Sequence, residues 1–200
     1  MIRAGLLWAG TLALMLVACG ETAKDNAVAP VDGESAGVNA AIPSPAMLNS
    51  VLPQRTPTAA PVAGSFAAVS NTAMSVTGDV TIAADTLSFS LDQSYGTGGA
   101  SVTTAASPYA GADIWADLFG VTADTPVEIR PVTSEQVGAK ARNGGLCGKA
   151  KASFVAIARK AAGTPDELLQ IAAFQGPAAP GNGASPDSLC GTYTYMPKGN

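Results

Sequence analysis

Residues 147–176 read "CGKAKASFVAIARKAAGTPDELLQIAAFQG", and whether they form helix or strand decides the class of the fold. Alanine favours a helix, and Thr164-Pro165-Asp166-Glu167 has the look of a helix start. The alternation argues the other way. Lys149, Lys151, Ser153 and Arg159 interleave with Ala150, Ala152, Phe154, Ala156 and Ala158, and "ELLQIAAF" is short and ends in glycine. A side-chain period of two belongs to a strand. The stretch is therefore predicted to be two antiparallel strands joined through "RKAAGTPDE".

The neighbouring segments agree with a β-rich reading. In "DSLCGTYTYMP", Thr192 and Thr194 alternate with Tyr193 and Tyr195, all residue types enriched in strands. Upstream, "TPVEIRPV" sets Val127, Ile129 and Pro131 against Glu128 and Arg130, a strand that Pro131 assigns to a sheet edge. "MSVTGDVTIAADTLSFSL" holds two more strands, at Val80-Thr81-Ile82 and from Leu87 to Leu91, with a turn at Ala84-Asp85. The stretch "DQSYGTGGASVTTAASPYAG" is rich in Gly, Ser, Thr and Ala and reads as mostly loop. Its glycines Gly96, Gly98 and Gly99 complete no dinucleotide fingerprint, and no Walker-type lysine follows.

One or two short helices are expected. "GADIWADLFG" puts Ile114, Trp115, Leu118 and Phe119 on one face, with Gly120 as the stop. "VTSEQVGAKARNGG" carries a capping-box pattern, Thr133 with Gln136, and ends at Asn143-Gly144. The sum is about six short strands and one or two helices. The fold expected is mainly β, an antiparallel sandwich or small barrel with a helix packed on it.

Ahead of this domain lies a different kind of sequence. From Gly20 to Ser65 the chain holds six of the fourteen prolines and no aromatic residue. Such a stretch buries too little apolar surface to offset its ordering entropy, and it reads as a disordered linker. As a flexible coil its ends would lie roughly 35–40 Å apart. Within it, Ser44 and Pro45 would start a helix and Pro53 would end it, with Met47, Leu48, Val51 and Leu52 on one face. That segment reads either as a docking helix or as a transient turn.

The first eighteen residues are different again. Arg3 is their only charge, and an uncharged run follows from Ala4 to Ala18. A basic start, a short apolar stretch and small residues near a cut site are the features of a secretory signal. The run is too short for a spanning helix, which needs about 20 apolar residues. It ends in Leu16-Val17-Ala18-Cys19, which resembles the lipobox of bacterial lipoproteins. That resemblance, confined to the N-terminus, implies that the signal is removed before Cys19 and that Cys19 carries the lipid. It also implies sorting to the outer membrane, because Gly20 stands where an inner-membrane member has aspartate. The anchored protein would face the periplasm or the cell surface. Each buried methylene contributes about 0.8 kcal/mol, so two or more chains hold stably where one does not. The organisation expected is a signal at 1–18, Cys19 and linker at 19–65, and a globular domain at 66–200.

With Cys19 given to lipid, Cys147 and Cys190 remain as an even pair in an oxidising compartment and are predicted to be bridged. The chain contains no histidine. That excludes His-dependent triads and His metal sites, and a metal held by two thiolates without histidine is not expected; no cofactor is implied. With the signal removed, two bases and ten acids lie from Gly20 to Thr125, then eight bases and five acids from Pro126 onward. A pI of about 4.7 argues against nucleic acid as a partner. The one basic cluster is Lys140, Arg142, Lys149 and Lys151, either a contact for an anionic envelope polymer or acidic envelope protein, or a solvated face. Asp113 and Asp117, four apart, read either as a cation or acid–base pair or as the wet side of a surface helix.

Three functions follow. The first is a lipid-anchored envelope binding module without catalytic activity. The second is an inhibitor of a periplasmic hydrolase, since the chain broadly looks like the lipid-anchored lysozyme inhibitors, which are also small disulfide-bonded β proteins. The third is a carboxylate-dependent envelope enzyme using acids such as Asp113 and Asp117.

Overall fold

The computed structural model describes residues 60–199. Cys19, its lipobox and the Ser44–Pro53 segment lie outside the described residues. The secondary structure is mainly β. In chain order it comprises β1 (Gly64–Ala68), α1 (Asn71–Val76), β2 (Val80–Ile82), β3 (Thr86–Phe89), β4 (Gln93–Thr97) and β5 (Ser101–Thr104). There follow β6 (Pro108–Ala110), β7 (Asp113–Ile114), α2 (Trp115–Phe119), β8 (Pro126–Val137), β9 (Phe154–Lys160), β10 (Leu168–Phe174) and β11 (Leu189–Pro197).

The strand pairings close on themselves. The sheet runs β4-β3-β2-β1-β11-β10-β9-β8, and β8 pairs back to β4, all neighbours antiparallel. Strands β4 and β5 lie end to end along one side of β8, at Val132–Val137 and Pro126–Ile129 respectively. The result is an eight-stranded antiparallel barrel closed through β4 and β8, with β5 paired on one side only. Among the described residues there are eleven strands rather than six, the excess coming mostly from short pieces between residues 93 and 114.

Two apolar clusters flank the barrel wall. Inside it, Phe66, Val80, Leu87, Tyr95, Val155, Ile157, Leu169, Ile171 and Tyr195 fill the lumen. Outside it, Trp115, Phe119 and Phe174 pack over Ala156, Ala158, Ala172 and Val127. The second cluster exists because the connection between β5 and β8 folds back over the barrel. The β6–β7 hairpin and α2 ride on this connection. Trp115 stacks on Phe119 at 5.6 Å between ring centroids, and Gln170 donates to the Phe119 carbonyl at 2.6 Å. Strands β9 and β10 are thus buried on both faces, which is why "FVAIA" and "LLQIAAF" are almost wholly apolar. They pair from Leu168↔Lys160 to Phe174↔Phe154 and are joined through residues 161–167.

Several expectations are corrected. Residues 93–104, expected as loop, form β4 and β5: Gln93, Tyr95 and Thr97 point inward, and the intervening Ser94 and Gly96 lie on the outer face. The helix expected from the Thr133 and Gln136 capping pattern is the second half of β8, where Val132–Val137 pair with β4. Pro131 does not mark an edge. It sits where the partner on one side of β8 changes from β5 to β4, so its missing N–H costs no ladder bond there, while its carbonyl accepts from Gly98 N–H at 2.8 Å. Asp113 belongs to β7, not to the helix, which starts at Trp115 and stops at Gly120 in the left-handed region (φ 58°). The first strand begins at Gly64, two residues ahead of Phe66, and Val62 is already bonded to β8.

A further helix, α1, covers one end of the barrel. Ser70 caps it, accepting from Ala73 N–H at 3.1 Å, and Ala73 is buried against the lumen. The connections at residues 90–92, 138–153 and 175–188 share this end. The opposite end carries the entry of the chain at Ala60–Val62, the β2–β3 turn and the β9–β10 connection.

Candidate functional site

The four basic residues of the cluster are all exposed, and all lie on the β8–β9 connection, residues 138–153. That connection is held from within. Leu146 is buried at its centre; its N–H donates to the Tyr95 hydroxyl at 2.8 Å, and its carbonyl accepts from the Tyr193 hydroxyl at 2.7 Å. Tyr95 in turn donates to Gln93 Oε1 at 3.0 Å. Beside Leu146, Cys147 is bridged to Cys190 of β11, with Cα atoms 4.9 Å apart. Further along, Ala152 N–H donates to Glu135 Oε2 at 3.2 Å. At Gly145 a Cβ would run into the Glu135 carboxylate and the Tyr95 hydroxyl, so the backbone there approaches the wall as only glycine can.

The lumen tyrosines that brace this loop stay protonated far into the alkaline range. Burial pushes the Tyr193 hydroxyl up to about 12. Burial raises Tyr95 and Tyr195 further still, and Tyr195 shares a 2.7 Å hydrogen bond with the Thr77 hydroxyl at the end of α1. A protonated phenol can both donate to and accept from the loop backbone, which is the arrangement at Leu146.

The cations themselves are not gathered into one pocket. Lys140 and Arg142 border an open depression with Ser75 and Leu91. Lys151 borders another, with Gln175 and Asp187. Lys149 is exposed on the same loop. Among the described residues none of the four forms an ion pair. The structure therefore brings them together as a braced loop presenting separated charges.

Asp113 and Asp117 come together differently from expectation. They reach the same shallow hollow, beside Tyr109, from β7 and from α2, and both carboxylates are exposed. Among the described residues no group of three or more His, Cys, Asp and Glu side chains is placed to hold a metal ion.

Sequence reasoning missed a second set of charges. Val127 and Ile129 face the outer cluster, so Glu128 and Arg130 point into the lumen. Arg130 is fully buried and donates through Nε to Glu128 Oε1. Its Nη1 donates to the Ala83 carbonyl at 2.6 Å and its Nη2 to the Val62 carbonyl at 2.8 Å. Glu128 Oε2 accepts from Val62 N–H at 2.8 Å. Nearby, Glu167 accepts from Arg159 Nε and from Gly163 N–H, each at 2.7 Å. The signal for the first pair was present: opposite charges two apart on one strand share a face and can neutralise each other there.

Comparison with known protein families, with curated proteins and with solved structures finds no match to this chain.

Proposed function

We propose that the protein is a cell-envelope lipoprotein, anchored through acylated Cys19, whose barrel binds an anionic envelope partner through Lys140, Arg142, Lys149 and Lys151. The observation that carries the reading is the construction of residues 138–153. A loop bonded to two lumen tyrosines and bridged to β11 holds four exposed cations in a chain of net charge −4. A solvated surface loop needs no such bracing. A binding loop gains by it, because less freedom is lost on association. The spacing of the charges suits an extended polyanion or an acidic protein surface better than a single small anion. The proposed activity is binding, with the residues between Cys19 and the start of the barrel at Ala60–Val62 giving the domain reach from the membrane.

The test is a photocrosslinker at Asn143, exposed on the same loop, in the native envelope. Crosslinked yield is compared between the wild-type loop and a variant with all four basic residues changed to Glu, after confirming that the variant keeps its disulfide and its melting temperature. The expected result is a several-fold lower yield from the variant and a wild-type yield that falls as salt is raised. Equal yields would remove the loop from the site.

A further inference from the structure

The end of the barrel away from the basic loop is not filled. A cavity of about 240 Å³ opens there between the entry of the chain, β5, β8 and β9. Its apolar wall is Val62, Val102, Pro126, Ile157 and Ala162. Two charged side chains also line it, Glu128 and Arg159, and they are not equivalent. Both Glu128 oxygens are already engaged, one by Arg130 and one by Val62 N–H. That carboxylate is neutralised and has little left to offer a ligand.

Arg159 is the opposite case. Its guanidinium stands at the lip with its side chain 45% exposed, while Glu167 behind it is 6% exposed. Glu167 takes Nε and Nη2 through a single oxygen, Oε1, and its other oxygen is held by Gly163 N–H. Among the described residues Nη1 has no acceptor. The buried acid therefore fixes the plane of the guanidinium and leaves its outer edge to solvent. A guanidinium so fixed is prepared to bind a carboxylate through two parallel N–H groups.

We propose that the barrel mouth is a binding site for a single-chain fatty acid of medium length, its hydrocarbon among Val102, Pro126 and Ile157 and its carboxylate on Arg159. Size and charge choose this occupant together. The cavity is below the roughly 300–1,000 Å³ of drug-sized ligand pockets, so one short chain enters and a two-chain phospholipid does not. The hydrocarbon is stabilised by the apolar surface it removes from water. A neutral molecule of the same shape forgoes the charged hydrogen bonds at the lip. The site is separate from the basic loop and does not depend on it.

The experiment uses the full-length protein in phospholipid nanodiscs and a decanoate carrying a diazirine on its chain, with adducts mapped by peptide mass spectrometry. Adducts are expected on the peptides holding Val102 or Ile157, competed by decanoate and not by decanol. Ala162→Trp, at an exposed rim position, should close the mouth and abolish them without touching the lumen core. Arg159→Gln should lower labelling at least tenfold, and Arg159→Lys should restore part of it. Labelling of these peptides that survives Ala162→Trp, or that decanol competes as well as decanoate does, overturns the proposal. So does the absence of adducts there.

Discussion

Arg130 is the residue on which the open end of the barrel depends. It is buried completely, and burying an ion costs several kcal/mol unless every polar atom finds a partner. Here Nε, Nη1 and Nη2 all do, and they tie three separate pieces of chain together: β8 itself, the β2–β3 turn and the entry segment at Val62. Arg130→Met should therefore destabilise by about 3–5 kcal/mol, since it strands Glu128 in the lumen without its main counter-charge. Adding Glu128→Gln should recover a large part of that loss, because no buried charge is then left alone. Urea unfolding of the single and double variants measures both. A single variant as stable as the wild type would mean the pair holds nothing. The lumen tyrosines make a second prediction at this scale. Their hydroxyls are raised above the ordinary value of 10.0 by burial, Tyr193 to about 12 and Tyr95 and Tyr195 beyond it. Above pH 10 the unfolded chain loses these protons while the folded chain keeps them. Their contribution to stability is thus complete below pH 10 and falls as pH rises toward the folded values. Unfolding free energy measured from pH 8 to 12 should turn downward near pH 10, and Tyr193→Phe should flatten the fall.

At the scale of elements, what the sequence revealed follows from how local the deciding contacts are. The β9–β10 hairpin was legible because its partner is its own neighbour: two short apolar runs and the turn at residues 161–167 lie within one stretch, whereas the alternating Lys149, Lys151 and Ser153 fall in the connection ahead of β9. Strand β11 was legible from Tyr193 and Tyr195 for the same reason. Strand β4 was not, although β3 beside it is a local partner, because Ser94 and Gly96 offer no β propensity; its second partner, β8, lies some forty residues away. The same pairing overrode the capping pattern of Thr133 and Gln136. The basic residues were visible as a cluster, but the braces beneath them were not, since Tyr95 and Tyr193 reach Leu146 from 51 and 47 residues away. The inward turn of Glu128 and Arg130 was hidden because the outer cluster takes up Val127 and Ile129 and leaves the charged side of β8 to the lumen. The disulfide was legible by elimination once Cys19 was assigned to lipid, and the structure forms it. It joins residues 43 apart, and closing a loop of that length restricts the unfolded chain by about 4 kcal/mol on the entropy account. Cys147→Ser should lower the melting temperature by roughly 10 °C, read by calorimetry without reductant. It should also loosen residues 138–153 first, seen as faster amide exchange at Ala150 than in the β9 strand. An unchanged melting temperature would show that the tyrosine bonds alone hold the loop.

At the scale of the whole molecule, the two proposals fall at opposite ends of the barrel, and the chain enters at only one of them. The chain comes in at Ala60–Val62, beside the cavity, while the basic loop is at the far end. A domain anchored by its N-terminus would present that far end away from the membrane whenever the linker is extended, with the cations toward the partner and the mouth toward lipid. This arrangement has a consequence only if the chain is anchored, which makes Cys19 the decisive residue. The expected modification is a thioether-linked diacylglycerol on Cys19, with an acyl group on the amine freed by signal removal, giving the two or more chains that stable anchoring requires. Cys19→Ser should leave a precursor that keeps its signal, carries no acyl mass and is not held in the envelope as the wild type is. Intact-mass spectrometry of the detergent-extracted fraction distinguishes the forms: the wild type should appear without residues 1–18 and heavier by the lipid, the variant with residues 1–18 retained and no lipid mass. If the lipid also sets the orientation, the Asn143 crosslink should fail in this variant even though its four cations are intact. A variant that is processed, extracted and crosslinked like the wild type would refute the anchor and, with it, the division of labour between the two ends.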